Sequence, residues 1–220
     1  MRASGAVLVG GQSRRMGTDK ALLQVGGQML IERVVTALRA VAGEVLLVGR
    51  DAGRFDWLGV QTLEDVFVGG GPLAGIHAAL SSARHPRCLV VACDMPFLNI
   101  DLLRYMLRQA DGWDAVVPRW QERLQPLHAV YTPTCLGPIE GMLSAGDRCP
   151  LDLYPRLHTR FVTGAEIAAL EEGWLSFVNL NTPDDLILAP KLASLGDWEV
   201  TAYPLAGLGV IQGDNLPVTC

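Results

Sequence analysis

The chain has 220 residues, half of them hydrophobic, a net charge of −5, a pI near 5.3 and a mean hydropathy of +0.26. That length suits one α/β domain, or one domain plus an appendage, and the apolar content excludes disorder throughout. No basic stripe with interleaved aromatics is present, which excludes nucleic acid as a partner, and no apolar run approaches the ~18 residues needed to span a bilayer.

Apolar bursts alternate with helical patterns, as in a largely parallel sheet flanked by helices. A first strand is predicted near 5–9, followed by a glycine-rich segment that ends at Lys20. Met29 to Ala42 reads as a helix, with Leu30, Val34, Leu38 and Val41 on one face. Strands follow near 44–48 and 60–63, then a run of glycines, Gly69-Gly70-Gly71, leading into a helix from Pro72 to Ala83 with proline in its first turn. A strand near 88–93 precedes Asp94, and Asn99 is placed to cap a helix from Ile100 to Gln109. Further strands are predicted near 114–118, 125–131 and 160–163. Thr182-Pro183-Asp184-Asp185 has the cap, proline and acidic first turn of a helix start. Residues 1–190 are read as one domain. Residues 191–220, rich in glycine and proline, are read as a C-terminal extension without an assigned role.

The N-terminal apolar stretch is short and ends in Gly10-Gly11, unlike a secretory leader, so a cytoplasmic protein is expected. The five cysteines, Cys88, Cys93, Cys135, Cys149 and Cys220, form no Cys-x-x-Cys pair and are odd in number. Reduced, mostly buried thiols are expected rather than a disulfide framework or a zinc site. His77, His85, His128 and His158 show no metal-ligand spacing.

Only two lysines occur, Lys20 and Lys191, and Lys20 closes the segment Gly10-Gly11-Gln12-Ser13-Arg14-Arg15-Met16-Gly17-Thr18-Asp19-Lys20. Small residues let backbone amides approach a ligand, and Arg15 and Lys20 add positive charge to the same loop; a polyphosphate is the natural ligand. Taken alone, the two glycines fit a plain turn equally well. The segment matches neither a P-loop nor a dinucleotide-binding fingerprint. Asp94 follows an apolar strand, at the rim where open α/β sheets bind ligands. It reads either as a turn cap or as a ligand for Mg²⁺, a hard cation that takes oxygen donors. Asp65 reads as a turn residue, as an acceptor for a ligand's hydroxyl or N–H donors, or as a support for the metal. Gly71 and Gly75 stand where a helix N-terminus could receive an anion. Asn179 and Asn181 alternate, which puts both amides on one face of an extended segment; as turn chemistry before Thr182-Pro183 they are equally at home.

The segment Leu8-Val9-Gly10-Gly11-Gln12-Ser13-Arg14-Arg15-Met16-Gly17-Thr18-Asp19-Lys20-Ala21-Leu22 resembles the signature of molybdenum cofactor guanylyltransferases, within the nucleotidyltransferase superfamily. The resemblance continues through Glu64-Asp65, Gly71-Pro72-Leu73-Ala74-Gly75-Ile76, Cys93-Asp94-Met95-Pro96-Phe97, Gln125 to Tyr131 and Phe177 to Pro183. It implies a three-layer, Rossmann-like α/β fold with a mostly parallel central sheet. It implies transfer of GMP from GTP to the phosphate of molybdopterin, with Mg²⁺ on Asp94 and catalysis by Arg15, Lys20 and Asp94. The nucleotide and acceptor would be bound by Leu8, Val9, Gly10, Gly11, Lys20, Asp65, Gly71, Gly75, Asp94, Asn179 and Asn181. Proteins of molybdenum cofactor biosynthesis or acceptor molybdoenzymes are the implied protein partners. The related cytidylyltransferases tend to carry Ala-Gly where this chain has Gly10-Gly11, which suggests guanine here. Two departures stand out: Val9 replaces a common Ala, and Val48-Gly49-Arg50 lacks an Asn that some relatives place near the nucleotide. The alternatives are a nucleotidyltransferase using CTP or another phosphorylated acceptor, and a carrier that binds without turnover.

Overall fold

The computed structural model of the chain describes residues 2–10, 20–64, 67, 69–180 and 185. Strand β1 (Ser4–Leu8) is followed, after a 3-10 turn at Lys20–Leu22, by a small hairpin of β2 (Gln24–Val25) and β3 (Gln28–Met29). Helix α1 (Leu30–Arg39), β4 (Glu44–Val48) and β5 (Gln61–Leu63) come next. Helix α2 (Gly71–Ser82), β6 (Cys88–Ala92), α3 (Ile100–Arg108) and β7 (Ala115–Trp120) continue the alternation. The remainder comprises β8 (Arg123–Leu124), β9 (His128–Tyr131), α4 (Leu136–Ser144), β10 (Thr159–Val162) and α5 (Gly164–Ala168), then a 3-10 turn at Gly173–Phe177.

The sheet order is β10-β7-β9-β6-β1-β4-β5, with β8 paired to the end of β7. β9 runs antiparallel to both β6 and β7, and the other pairings along the sheet are parallel. Central strands such as β6 are buried on both faces, which is why they read as unbroken apolar runs. Side chains of a strand alternate between faces. Gly5 leaves room for Leu38 of α1, and Leu8, three residues on, meets Gly75 of α2. The two helices therefore cover opposite faces of β1, and the expected layered α/β architecture is present.

The strands predicted near 5–9, 44–48, 60–63, 88–93, 114–118 and 160–163 all form, and the Asn99 side chain accepts from the Leu102 amide at 2.9 Å as the expected cap of α3. The strand predicted over 125–131 is shorter. Gln125 to Leu127 form a turn, closed by the His128 amide donating to the Gln125 carbonyl at 3.1 Å, and only His128–Tyr131 join the sheet. The thiol expectation also needs correcting: Cys88 and Cys135 are buried free thiols, whereas Cys149 is disulfide-bonded. No helix among the described residues is long and apolar enough to cross a membrane. The helix start predicted at Thr182 and the whole segment 186–220 lie outside the described residues.

Helix α5 is anchored by one carboxylate. Glu166 accepts from the Thr163 amide (2.8 Å) and hydroxyl (2.7 Å), from Tyr105 of α3 (2.6 Å) and from Arg160. Partial burial pushes the Glu166 carboxyl up, but these donors outweigh it and bring it down to about 2. A carboxyl held below its unfolded value stabilises the fold above the ordinary carboxylate range and loses that contribution as pH falls toward about 2. Solvent screening of a partly exposed group limits the effect to about 1 kcal/mol. Glu166→Gln should therefore melt a few degrees below wild type at pH 7, and the gap should close in melts taken from pH 4.5 downward.

Candidate functional site

β1 is hydrogen-bonded to β4 and β6 in a register that pairs Leu8 with both Val48 and Ala92. The pairing continues past the strand ends: the Val9 amide donates to the Val48 carbonyl at 2.8 Å, and the Cys93 amide to the Leu8 carbonyl at 3.2 Å. Gly10 and Asp94 consequently emerge on the same rim. Leu8 is half-buried beneath α2, Val9 is buried, and Gly10 is exposed. A Cβ added at Gly10 would meet no atom of the described residues within 4 Å.

Lys20 and Asp94, 74 positions apart in the chain, meet at this rim with Nζ and Oδ2 3.7 Å apart. Asp94 is 7% exposed. Burial pushes its carboxyl up from the usual carboxylate range, and Lys20 pulls against that shift. Its second oxygen, Oδ1, is buried without a hydrogen-bond partner. The Asp94 carbonyl accepts from the Leu180 amide at 3.0 Å, which brings the neighbouring Asn179 to the same place. Asn179 is buried too, and its Oδ1 also lacks a partner. Unsatisfied buried acceptors are costly unless something supplies the missing positive charge or donor. A hard cation fits the unpaired oxygen of Asp94, and an N–H donor fits that of Asn179. Among the described residues no cluster of three or more His, Cys, Asp or Glu side chains is present. Asp94 could hold such a cation through its unpaired oxygen, with other positions open to ligand oxygens.

Of the other predicted site residues, Gly11, Arg15, Asp65 and Asn181 lie outside the described residues. Gly71 is exposed at the first turn of α2 with φ +62°, a left-handed conformation that favours glycine. Gly75 lies inside α2, and a Cβ there would sit 3.0 Å from Leu8 Cδ1, so its visible role is the close approach of helix to strand.

Two features escaped the sequence reading. An aromatic stack lies beside Asn179: Trp120 and Phe177 are parallel at 5.9 Å, and His128 is tilted against Phe177 at 4.9 Å. His128 is fully buried with both ring nitrogens unpartnered, and burial pushes it down to about 4, so it is a neutral ring at physiological pH. The motifs Gln125 to Tyr131 and Phe177 to Pro183 contain two of these rings, but their adjacency is a product of folding. The second feature is Gly49. A Cβ there would fall 1.8 Å from the Val9 carbonyl oxygen, so the chain leaving β4 can pass the end of β1 only without a side chain. Gly49→Ala should lower stability by about 2–3 kcal/mol through this backbone collision, whereas Gly10→Ala should melt like wild type; thermal denaturation of both variants checks the contrast.

Comparisons with known proteins agree with this geometry. Residues 5–159 match the model of the MobA-like NTP transferase domain. A probable molybdenum cofactor guanylyltransferase of Pelotomaculum thermopropionicum is 45% identical over 193 residues, covering 88% of this chain and 94% of the relative. A molybdenum cofactor guanylyltransferase of Desulfosudis oleivorans is 34% identical over 197 residues, with 88% and 96% covered. The crystal structure of molybdopterin-guanine dinucleotide biosynthesis protein A from Archaeoglobus fulgidus superposes with a TM-score of 0.75 at 31% identity, covering 87% of this chain and 98% of that one. The 2-C-methyl-D-erythritol 4-phosphate cytidylyltransferase of Thermus thermophilus, at 24% identity and a TM-score of 0.63, shares the fold. The layered sheet, the paired lysine and aspartate at its rim and these matches together place the chain in the molybdenum cofactor guanylyltransferase family, nucleotidyltransferases built on a MobA-like NTP transferase domain.

Proposed function

We propose that the chain transfers GMP from GTP to the terminal phosphate of molybdopterin and releases pyrophosphate. The observation that carries this reading is the Lys20–Asp94 pair at the common end of β1 and β6, with one Asp94 oxygen left unpartnered. An oxygen of the acceptor phosphate attacks the α-phosphorus of GTP. The bond from that phosphorus to the bridging oxygen breaks, and the electron pair leaves with pyrophosphate. The nucleophile is already an anion, so alignment and charge neutralisation suffice and no strong general base is required. Asp94 would hold Mg²⁺, which when bound offsets the negative charge of the phosphate oxygens.

The chain's own residues supply the rest. Lys20 exchanges its contact with Asp94 for the polyphosphate, and Arg15 adds a second cation from the same loop. Leu8, Val9, Gly10 and Gly11 present the backbone to the guanine, with Asp65 as an acceptor for base or ribose donors. Gly71 opens α2 toward the nucleotide, and Gly75 sets the distance of that helix from Leu8. Asn179 and Asn181 offer mixed donors and acceptors to the pterin. The protein acts on soluble substrates in the cytoplasm, and it hands its product to molybdenum cofactor biosynthesis proteins or acceptor molybdoenzymes.

Pyrophosphate release from GTP, with molybdopterin and Mg²⁺, tests the reaction; binding without release would leave a carrier. Asp94→Asn is nearly isosteric and removes charge rather than volume. It should lower Mg²⁺-dependent kcat by about 100-fold, equivalent to roughly 2.7 kcal/mol, with metal-free GTP binding little changed. Wild-type turnover in this variant at all Mg²⁺ concentrations would remove Asp94 from metal binding.

Base selection is tested at Gly10. A methyl there meets no atom of the described residues, so an effect on selectivity without loss of stability points to the ligand. The wild type should prefer GTP to CTP, and Gly10→Ala should erode that preference in kcat/KM by about tenfold, or ~1.4 kcal/mol, since a bicyclic purine needs the closer approach. An unchanged ratio would place base selection elsewhere.

A further inference from the structure

The segment from Asp94 to Leu98 crosses the rim as irregular chain, beyond the last sheet bond from the Cys93 amide to the Leu8 carbonyl. Three contacts support it. Asp94 meets Lys20 through its side chain and Leu180 through its carbonyl. The third comes from Arg33 on the second turn of α1. Its Nε donates to the Pro96 carbonyl at 3.3 Å, and its Cζ stands 5.6 Å from the centroid of the Phe97 ring. The same guanidinium reaches back to the β2–β3 hairpin, with Nη1 3.5 Å from the Val25 carbonyl and 4.0 Å from where a Cβ on Gly26 would lie. Arg33 thus joins the chain that carries Asp94 to the hairpin that follows Lys20.

No carboxylate pairs with Arg33 among the described residues. Its partners are two carbonyls and an aromatic face. A guanidinium suits that task, because its planar fork donates in several directions while its face stacks on a ring. Beneath it Phe97 is buried with Val25, Leu30, Leu175, Val178 and Leu180, residues drawn from the hairpin, α1 and the Asn179 segment. The apolar cluster sets where Phe97 goes. Between Asp94 and Phe97 the Met95 side chain is buried in the main core, and the Arg33 bond to Pro96 adds a polar restraint on the backbone there.

We infer that Arg33 is a positioning residue for the reaction, holding the Asp94 loop and the hairpin after Lys20 in fixed relation so that the carboxylate and the ammonium address the same phosphates. The inference rests on the nucleotidyl-transfer reading above. Arg33→Met keeps the stem and its packing but removes the charge and the hydrogen bonds; Arg33→Lys keeps a charge over Phe97 and one donor for Pro96.

Hydrogen–deuterium exchange and steady-state kinetics on the full chain, well below the melting temperature, test it together. In Arg33→Met, amides in peptides covering 93–99 and 23–29 should exchange at least tenfold faster while the central strands stay protected. The value of kcat should fall at least tenfold, the Mg²⁺ concentration for half-maximal rate should rise, and KM for GTP should stay within twofold. Arg33→Lys should recover part of both losses, and it serves as the test variant if Arg33→Met does not fold. Unchanged exchange in both peptides overturns the tether. Faster exchange with wild-type kcat and Mg²⁺ dependence overturns the role in the reaction and leaves Arg33 a structural contact. A wild type that releases no pyrophosphate from GTP overturns the functional reading and the catalytic role with it, and the exchange data separate that outcome from failure of the tether.

Discussion

The rim chemistry depends on β1 lying in parallel register between β4 and β6. Leu8 pairs with Val48 on one side and Ala92 on the other, so three chain segments leave the sheet at one level. The turn out of β4 then has to pass the Val9 carbonyl just beyond β1, and Gly49 permits it. On the opposite side α2 has to approach Leu8 closely, and Gly75 permits that. Both glycines act by the absence of an atom. Beside them the backbone at Gly10 stands exposed at the rim.

A buried carboxylate at that rim is an electrostatic cost that the protein only partly offsets. Burial disfavours the charged form of Asp94, and Lys20 at 3.7 Å recovers some of the loss. The remaining oxygen is unsatisfied, as is that of Asn179 close by. Sites that are incomplete in this way are poised for a ligand, because binding supplies interactions the protein alone cannot make. Apolar packing restrains the arrangement from below. Val25, Leu30, Phe97, Leu175, Val178 and Leu180 form a cluster separate from the main core, drawn from the hairpin, α1, the segment after β6 and the Asn179 segment. The chain uses hydrophobic contact to gather these segments and polar contact to orient them.

Much of this was legible from residue order. Buried parallel strands announce themselves as apolar runs, and Asn99 and Pro72 mark helix starts by local chemistry that folding did not override. Other elements carry no such mark. The β2–β3 hairpin is two residues a side around Gly26-Gly27, too short to show alternation. Helix α4, with Gly137, Pro138 and Gly141, has the composition of a loop and is helical because it packs on α2. The direction of β9 is invisible in its sequence, since an apolar strand reads the same whichever way its neighbours run.

Local chemistry thus determined which residues are suited to the work: a lysine and glycines in one loop, a carboxylate after a buried strand, amides in the Asn179 motif. Hydrogen-bonding capacity, charge and conformational freedom are properties of individual residues, so composition and spacing reveal them. The pairing of Lys20 with Asp94, the collision that reserves position 49 for glycine and the reach of Arg33 to Pro96 were decided only by the tertiary structure. Each is a distance between segments far apart in the chain. Such distances follow from strand register and helix packing, which depend on the whole core and are written in no short stretch of sequence.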